Sequence, residues 1–178
     1  MGGAEVELRT ERLLLRHFRA DDIDDYAAMC ADPEVTRYLG ATGQPLSRED
    51  AWRQMAMLCG HWQLRGYGTW VAEDLQTGSL VGRIGLHYPE GFPDRELGWA
   101  IARRFWGQGL ASEAARAAAN HAFRTLGWDH LISLILPENA RSTRVAERLG
   151  ARPAGRATVH GLEHLVYRLG SQASGLPS

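Results

Sequence analysis

The sequence contains no lysine, since all 20 of its basic side chains are arginine. This absence excludes a Schiff base, a lysine nucleophile and the lysine of a P-loop nucleotide site. The 21 acidic side chains nearly balance the arginines and give a net charge of −1. Proteins that bind the phosphates of nucleic acids usually carry a basic surplus. We therefore expect no nucleic-acid partner.

Cysteine and long apolar runs are also scarce. The spacing of Cys30 and Cys59, the two cysteines of the sequence, fits neither a metal site nor a disulfide framework. We expect two buried, reduced thiols in a cytoplasmic protein, because the acidic residues among the first 20 positions are unlike a signal peptide. No stretch approaches the roughly 18 apolar residues that cross a membrane, so we expect no membrane partner.

The length and composition suit a single globular domain. The chain has 178 residues, of which 44% are hydrophobic, and single domains commonly have roughly 100–200 residues. Turn signals recur regularly along the sequence, and we find no internal repeat or linker. We assign residues 8–169 to one domain and the segments 1–7 and 170–178 to loose termini.

Hydrophobic periodicity and capping residues predict alternating strands and helices. We expect a strand over residues 8–18, and Asp21 or Asp22 to cap a helix over residues 23–31. Apart from a short turn at Pro33, the predicted order is β-α-α-β-β-β-α-β-α-β-β. Two late strand–helix–strand passages favour an α/β or α+β fold, with a mixed sheet and helices on its faces. The remaining elements are helices over 47–66, 110–126 and 139–149, and strands over 69–74, 80–88, 96–102, 130–136, 156–160 and 163–169.

The segment 104–111, RFWGQGLA, lies between a predicted strand and an alanine-rich helix. Gly107 and Gly109 lack a Cβ where a ligand would approach the backbone closely. The start of the helix presents unpaired N–H groups and the positive end of the helix dipole, which suit a pyrophosphate. Arg104 adds a charge or its own backbone N–H. A plain glycine-rich turn explains the local pattern equally well.

The same loop resembles the acyl-CoA signature of the GNAT N-acetyltransferase superfamily, Q/R-x-x-G-x-G/A, with R-x-x-G-x-G at residues 104–109. Further segments agree in the right order. ELGW at 96–99 resembles the fourth strand of the family, and N-x-x-S at 139–142 is similar to its next strand-to-helix segment. TERLLLR at 10–16 resembles the opening of the RimJ/RimL-like branch, which includes acetylases of ribosomal-protein N-termini. In element order the resemblance covers residues 8–169.

The resemblance implies a fold and a reaction. The fold is a mixed, mostly antiparallel sheet of six to seven strands that splays between its fourth and fifth strands, with helices on both faces. The pantetheine arm of acetyl-CoA, the co-substrate, lies in that gap. Acetyl passes directly to a primary amine in a ternary complex, with no acyl-enzyme and no metal. The acceptor is a protein N-terminus or a small-molecule amine, and a homodimer is plausible by analogy.

The resemblance also implies which residues contact acetyl-CoA. Backbone N–H groups near Trp99 polarise the thioester carbonyl, and Asn139 bonds the pantetheine amide. A strand end offers backbone bonds to pantetheine and pyrophosphate, and the loop that follows forms the pyrophosphate cradle. The strand end comprises Ile101, Ala102 and Arg103, and the cradle comprises Arg104, Gly107, Gln108, Gly109, Leu110 and Ala111.

Glu96 is the candidate general base. An alkylammonium group has a pKa near about 10 and must lose a proton before it attacks. Partial burial would raise the pKa of the Glu96 carboxyl and let it accept that proton, directly or through a water. By the resemblance, its position matches that of a base in several relatives. The alternative is an exposed glutamate at a strand edge or in an ion pair.

The general acid is less clearly marked. Many relatives place a tyrosine seven residues after the asparagine, where this chain has Ala146. Ser142 is the nearest hydroxyl in the motif and resembles the replacement that the branch uses. Helix capping is its alternative role, and water can also protonate the leaving thiolate. The missing tyrosine leaves a second function open, that of a catalytically inactive CoA-binding regulatory or structural module.

Two other patterns carry less weight. The G-x-G-x-x-S at 107–112 is nearly a dinucleotide fingerprint, but its third glycine is Ser112 and too few residues follow it for the rest of such a domain. The H-x-x-E-H at 160–164 would need a helix to bind zinc, and its sequence context predicts a hairpin. We therefore expect no metal site. Trp52, Trp62 or Tyr38 are candidates for the wall of the acceptor site.

Overall fold

The computed structural model describes residues 6–171, so residues 1–5 and 172–178 of the two predicted loose termini lie outside the described residues. The described chain alternates strands with helices. Its strands are β1 Leu8–Arg9, β2 Leu13–Arg16, β3 Thr69–Asp74, β4 Leu80–His87, β5 Glu96–Ile101, β6 His130–Ile135, β7 Arg152–Val159 and β8 Leu162–Gly170. Its helices are α1 Ile23–Cys30, α2 Pro33–Thr36, α3 Arg48–Arg65, α4 Leu110–Arg124 and α5 Ala140–Arg148.

All eight strands join one sheet in the order β1-β2-β3-β4-β5-β6-β8-β7. Neighbouring strands are antiparallel, with the exception of the parallel pair β5 and β6. The predicted mixed, mostly antiparallel sheet is therefore confirmed. None of the helices described is both long and apolar enough to cross a membrane.

Helices cover both faces of the sheet, as predicted. On one face, α1, α2 and α3 bury residues such as Tyr26 and Leu58 against Val71 and Ala100. On the other face, the alanine-rich side of α4 packs with α5 against a second cluster. That second cluster includes the fully buried side chains of Ile84, Leu86, Leu97 and Leu131.

The predicted single strand over residues 8–18 is wrong, and the strand count is eight for that reason. The chain turns back at Thr10, whose backbone N–H donates to the Leu13 carbonyl (2.9 Å) and whose Oγ1 accepts from the Leu13 N–H (2.9 Å). β1 and β2 therefore form a hairpin. The Thr10 hydroxyl also donates to Glu113 on α4 (2.6 Å), a contact that the local sequence does not reveal.

The cysteines are both free, but they differ in exposure. Cys30 is buried in α1, as expected, whereas the prediction that Cys59 is buried is wrong. Cys59 lies on α3, between the buried Leu58 and the partly buried Gly60, on the side of the helix that faces away from the sheet. Neither cysteine lines the two cavities described below.

Candidate active site

The sheet opens between β5 and β6. Their parallel pairing holds at one register position, Glu96 opposite Ile132, where the Ile132 N–H donates to the Arg95 carbonyl (2.9 Å). The Ser133 hydroxyl then donates to the Leu97 carbonyl (2.7 Å). Beyond that contact β5 runs on to Ile101 with no further β6 partner within residues 6–171.

The open edge of β5 presents backbone polar groups to this gap. Backbone groups alternate in direction along a strand, and Arg95 and Leu97 point theirs towards β6. The backbone groups of Trp99 and Ile101 therefore face the gap as well. The Ile101 carbonyl already accepts a hydrogen bond from the Trp106 indole N–H (2.8 Å). The Trp99 backbone is left to bond an extended ligand or a ligand carbonyl.

A groove of about 730 Å³ runs from this gap to the start of α4. Gly107 and Gly109 hold the loop before α4 in left-handed conformations, with φ of 79° and 80°. A Cβ at Gly107 would meet no atom within 4 Å, so the backbone there faces open space. The predicted contact residues that line the groove are Trp99, Ile101, Gly107, Gly109, Leu110, Ala111, Asn139 and Ser142.

Four predicted contact residues do not line the groove: Ala102, Arg103, Arg104 and Gln108. The Ala102 N–H donates to the Val81 carbonyl (2.8 Å), within the sheet. The Arg103 guanidinium pairs with Asp32 (2.9 Å). The Arg104 guanidinium donates to the Leu80 carbonyl (3.2 Å), and the Gln108 amide donates to the Arg104 carbonyl (3.3 Å). The side chains of Arg103, Arg104 and Gln108 are therefore engaged with other parts of the protein, and Ala102 is bonded through its backbone.

Positive charge enters the groove from residues that the sequence analysis missed. Arg141, Arg144 and Arg148 of α5 line the groove, and the Arg141 guanidinium lies over the Trp106 ring at 4.1 Å from its centroid. Their spacing of three, then four residues places them on one face of the helix. That spacing was the signal available in the sequence. A groove with a glycine-lined helix start at one end and three guanidinium groups along one wall fits a phosphate-bearing co-substrate such as acetyl-CoA.

Glu96 lies where the two strands part, opposite His87 of β4. Its half-buried carboxyl has a pKa raised to about 7 by burial, against the opposing effects of a backbone hydrogen bond from Leu134 and the positive charge of Arg83. A carboxyl with a pKa of this value accepts a proton near neutral pH and returns it readily. A carboxyl with these properties can act as a general base.

A second, inner cavity of about 220 Å³ lies on the other side of the gap, and Glu96 lines it. Its other walls come from α3, from the segment after α2 and from the β7–β8 hairpin. Of the candidates for an acceptor wall, Tyr38 lines this cavity. Trp62 is buried and donates to the Thr69 carbonyl (3.0 Å), and Trp52 is 56% exposed to solvent.

The groove and the inner cavity meet at a small hydrogen-bonded cluster. Tyr38, Leu39, Trp99, Asn139 and Ser142 line both. The Trp99 indole N–H donates to the Ser142 hydroxyl oxygen (3.2 Å), and the Asn139 side-chain oxygen caps α5 by accepting from the Ser142 backbone N–H (3.1 Å). Ser142 is therefore fixed from two sides. Its own hydroxyl hydrogen stays available to a group in the gap, and so does the Asn139 amide nitrogen.

The histidine pattern at 160–164 lies on the β7–β8 hairpin, as the sequence predicted. His160 stands at the turn with a φ of 52°, and its ring contacts Phe92 at 5.9 Å. The His164 ring bonds the Leu162 carbonyl (3.0 Å). Among the residues described, no group of three or more metal-ligating side chains comes together.

Comparison with known proteins gives one consistent result. A model of the acetyltransferase (GNAT) domain matches residues 12–152. Protein YkkB of Bacillus subtilis is 35% identical over 155 residues, which cover 83% of this chain and 86% of YkkB. The FsC-acetyl coenzyme A-N(2)-transacetylase of Aspergillus fumigatus is 31% identical over 157 residues, covering 83% of this chain and 65% of that protein. The crystal structure of an acetyltransferase from Agrobacterium tumefaciens superposes with a TM-score of 0.83 at 34% identity, covering 95% of this chain and 96% of that one.

Proposed function

Because the chain belongs to the GNAT acetyltransferase family and is an N-acetyltransferase, we propose that it transfers acetyl directly from acetyl-CoA to a primary amine held in the inner cavity. The groove receives the co-substrate, and Glu96 deprotonates the amine. Acetyl-CoA supplies the thioester that the amine attacks. The acceptor is a small-molecule amine or a peptide N-terminus, since both present the same reacting group.

The position of Glu96 carries this proposal. Its carboxyl lines the inner cavity, and it lies on β5 three residues before Trp99, which lines both the cavity and the groove. Glu96 can therefore reach an amine in the cavity while the thioester lies along β5. The raised pKa leaves a large fraction of the carboxyl ionised, and basic enough to take a proton, at neutral pH. A glutamate at an exposed strand edge would have neither this position nor a raised pKa.

The other groups at the junction complete the reaction. As the C–N bond forms and the C–S bond breaks, the Trp99 backbone N–H stabilises the charge that develops on the carbonyl oxygen. The amine proton passes to Glu96. Ser142, held by the Trp99 indole and by Asn139, donates its proton towards the leaving sulfur, and water can restore it. No side chain of the protein is acylated, so acceptor and acetyl-CoA bind together before transfer.

Thermal unfolding with and without ligand tests the co-substrate assignment, using protein verified to be free of CoA. Acetyl-CoA at about 100 times its Kd stabilises a fold by about 2.7 kcal/mol, or about 5–10 °C for a chain of this size. We expect that shift with acetyl-CoA, no comparable shift with NAD or ATP, and release of free thiol when a primary amine is added. Equal shifts with all three ligands, or no shift with acetyl-CoA, would contradict the proposal.

A matched pair of variants locates the binding site. Gly107 and Gly78 both have positive φ and open space at the Cβ position, but only Gly107 lines the groove. Asp tolerates this backbone conformation and adds a negative charge. We expect Gly107→Asp to lose the stabilisation by acetyl-CoA through repulsion of the pyrophosphate, and Gly78→Asp to keep it. Retention by both variants would place the phosphates elsewhere.

A further inference from the structure

The floor of the inner cavity is built from two glycines that face each other. Gly85 of β4 is paired with Gly98 of β5. A Cβ at Gly85 would stand 2.5 Å from the Gly68 carbonyl oxygen, so that position is closed to any side chain. The floor is therefore bare backbone, and the groups at its two ends decide what can bind above it.

A carboxyl stands at one end of this floor and a guanidinium at the other. Two positions from the glycine pair in one direction, His87 is opposite Glu96, and two positions in the other direction, Arg83 is opposite Ala100. Side chains two positions apart share a face of a sheet, so Arg83 and Glu96 lie on the same side. Arg83 is opposite Ala100, which is four residues, or about 13 Å, along β5 from Glu96. The side chains of Arg83 and Glu96 both line the inner cavity.

Arg83 has no carboxylate partner. The ion pairs formed within residues 6–171 do not include it, and its buried Nε has no hydrogen-bond partner. The groups on which its charge acts are the Tyr26 hydroxyl, the Cys30 thiol, His87 and Glu96, and the guanidinium also has a hydrogen-bonding contact with the Tyr26 hydroxyl. Guanidinium groups removed from water are normally paired, because an unpaired one is costly. Arg83 is thus arranged to receive an anion from a ligand.

A second donor lies beside it. The Tyr26 hydroxyl donates to the Gln54 side-chain oxygen (2.6 Å), and the Cys30 thiol points to the same oxygen (3.9 Å). Gln54 lines the cavity, and with its oxygen engaged, its amide nitrogen has two hydrogens to offer. A guanidinium and an amide N–H₂ in one cavity match the acceptor oxygens of a carboxylate.

We propose that the acceptor is a small amino carboxylate, whose amine lies at Glu96 and whose carboxylate binds Arg83 and Gln54. This inference rests on the function proposed above and names its substrate class. Arg83 is the one guanidinium among the described residues that line the inner cavity. The cavity, of about 220 Å³, suits an amino acid or an ω-amino acid better than a folded chain terminus. A peptide whose second residue is acidic presents the same chemistry and is tested separately.

The test compares acceptors in pairs that differ in one charge. Glycine, L-leucine, L-phenylalanine, 4-aminobutyrate and 6-aminohexanoate are each assayed beside the corresponding carboxamide, with thiol release from acetyl-CoA as the readout. A free N-terminal tetrapeptide with glutamate second is assayed beside its glutamine counterpart. We expect at least one small carboxylate to exceed its amide by about 30-fold or more in kcat/KM, the effect of losing one partner of a desolvated charge pair.

Variants test whether Arg83 causes the preference for carboxylate acceptors. Arg83→Gln should remove the preference for the carboxylate, so that the carboxylate and the amide of each pair react at similar rates. The ratio within a pair cancels any effect of Arg83 on Glu96. Arg53→Gln, on the exposed side of α3 in an ion pair with Asp50, is the control and should keep the ratio. If Arg83→Gln does not fold, Gln54→Leu is expected to lower the ratio in the same direction.

The possible results distinguish a failure of this inference from a failure of the proposed acetyltransferase function. Transfer to amides as fast as to carboxylates in the unmodified protein would overturn the carboxylate site and leave the acetyltransferase function standing. Transfer to the acidic peptide and to none of the free amino carboxylates would overturn the small-molecule assignment. A carboxylate preference that Arg83→Gln retains would overturn the role of Arg83. Acetyl-CoA binding without transfer to any amine would overturn both proposals.

Discussion

Replacing Glu96 by glutamine should make the fold more stable at neutral pH and not at acidic pH. Burial raises the pKa of the Glu96 carboxyl from 4.5 to about 7. The folded state therefore keeps a proton that the unfolded state releases as the pH rises from 4.5 to 7. Over this range the wild-type protein loses about 3 kcal/mol of its free energy of unfolding, at 1.36 kcal/mol for each pKa unit.

The free energy of unfolding of Glu96→Gln should not fall in this way, because glutamine is neutral at every pH in the range. Its side-chain oxygen can still accept a hydrogen bond from the Leu134 backbone. Urea denaturation of both proteins between pH 5 and pH 8 measures the difference. We expect it to grow with pH, mostly between pH 5 and pH 7, and then to level off at about 3 kcal/mol. Glu90→Gln makes the same chemical change at a side chain that is 97% exposed and serves as the control. A difference that does not change with pH would refute the reasoning.

Three further predictions concern the groove and the inner cavity. The Arg12 guanidinium donates to the Gln108 carbonyl (3.0 Å) and so braces the loop, and Arg12→Leu should raise the Kd for acetyl-CoA by about tenfold, measured by titration calorimetry. Gly98→Ala places a methyl 3.7 Å from the Glu96 carboxyl carbon and should raise the acceptor KM by about tenfold in steady-state assays. Ser142→Ala should lower kcat by about 100-fold without changing acetyl-CoA binding.

Each of these changes has a comparison that isolates its cause. Arg9→Leu removes an exposed arginine from the same hairpin and should leave the Kd for acetyl-CoA unchanged. Gly60→Ala adds a methyl into open space on α3 and should leave the acceptor KM unchanged. A Ser142→Ala protein with the wild-type kcat would show that water alone protonates the sulfur.

The sequence predicts those parts of the site whose requirements are local. Gly107 and Gly109 follow from a loop that must turn through left-handed conformations at a helix start. Glu96 follows from the chemistry of deprotonating an amine, together with the motif around it. The cap of α5 was assigned to the wrong residue, because helix capping was considered for Ser142, whereas the Asn139 side chain caps the helix by accepting from the Ser142 N–H.

Other features depend on distant parts of the chain and were not predictable. The turn at Thr10 is held by Glu113, 103 positions later, so periodicity alone suggested an unbroken strand. Arg104 was expected in the cradle, but the short helical turn at residues 103–105 directs its guanidinium to the Leu80 carbonyl. That the Arg83 Nε lacks a hydrogen-bond partner emerges only once β4, β5 and α1 are packed together.

The pH dependence of acetyl transfer by the wild-type and Glu96→Gln proteins, with one acceptor and saturating acetyl-CoA, tests the central claim most directly. A base with a pKa of about 7 predicts that the wild-type kcat/KM rises with pH through a midpoint near that value, because only the carboxylate accepts the proton. Glu96→Gln should bind acetyl-CoA with the wild-type Kd, lack that midpoint, and turn over at least about 100-fold more slowly. Wild-type rates and an unchanged pH profile in Glu96→Gln would contradict the account.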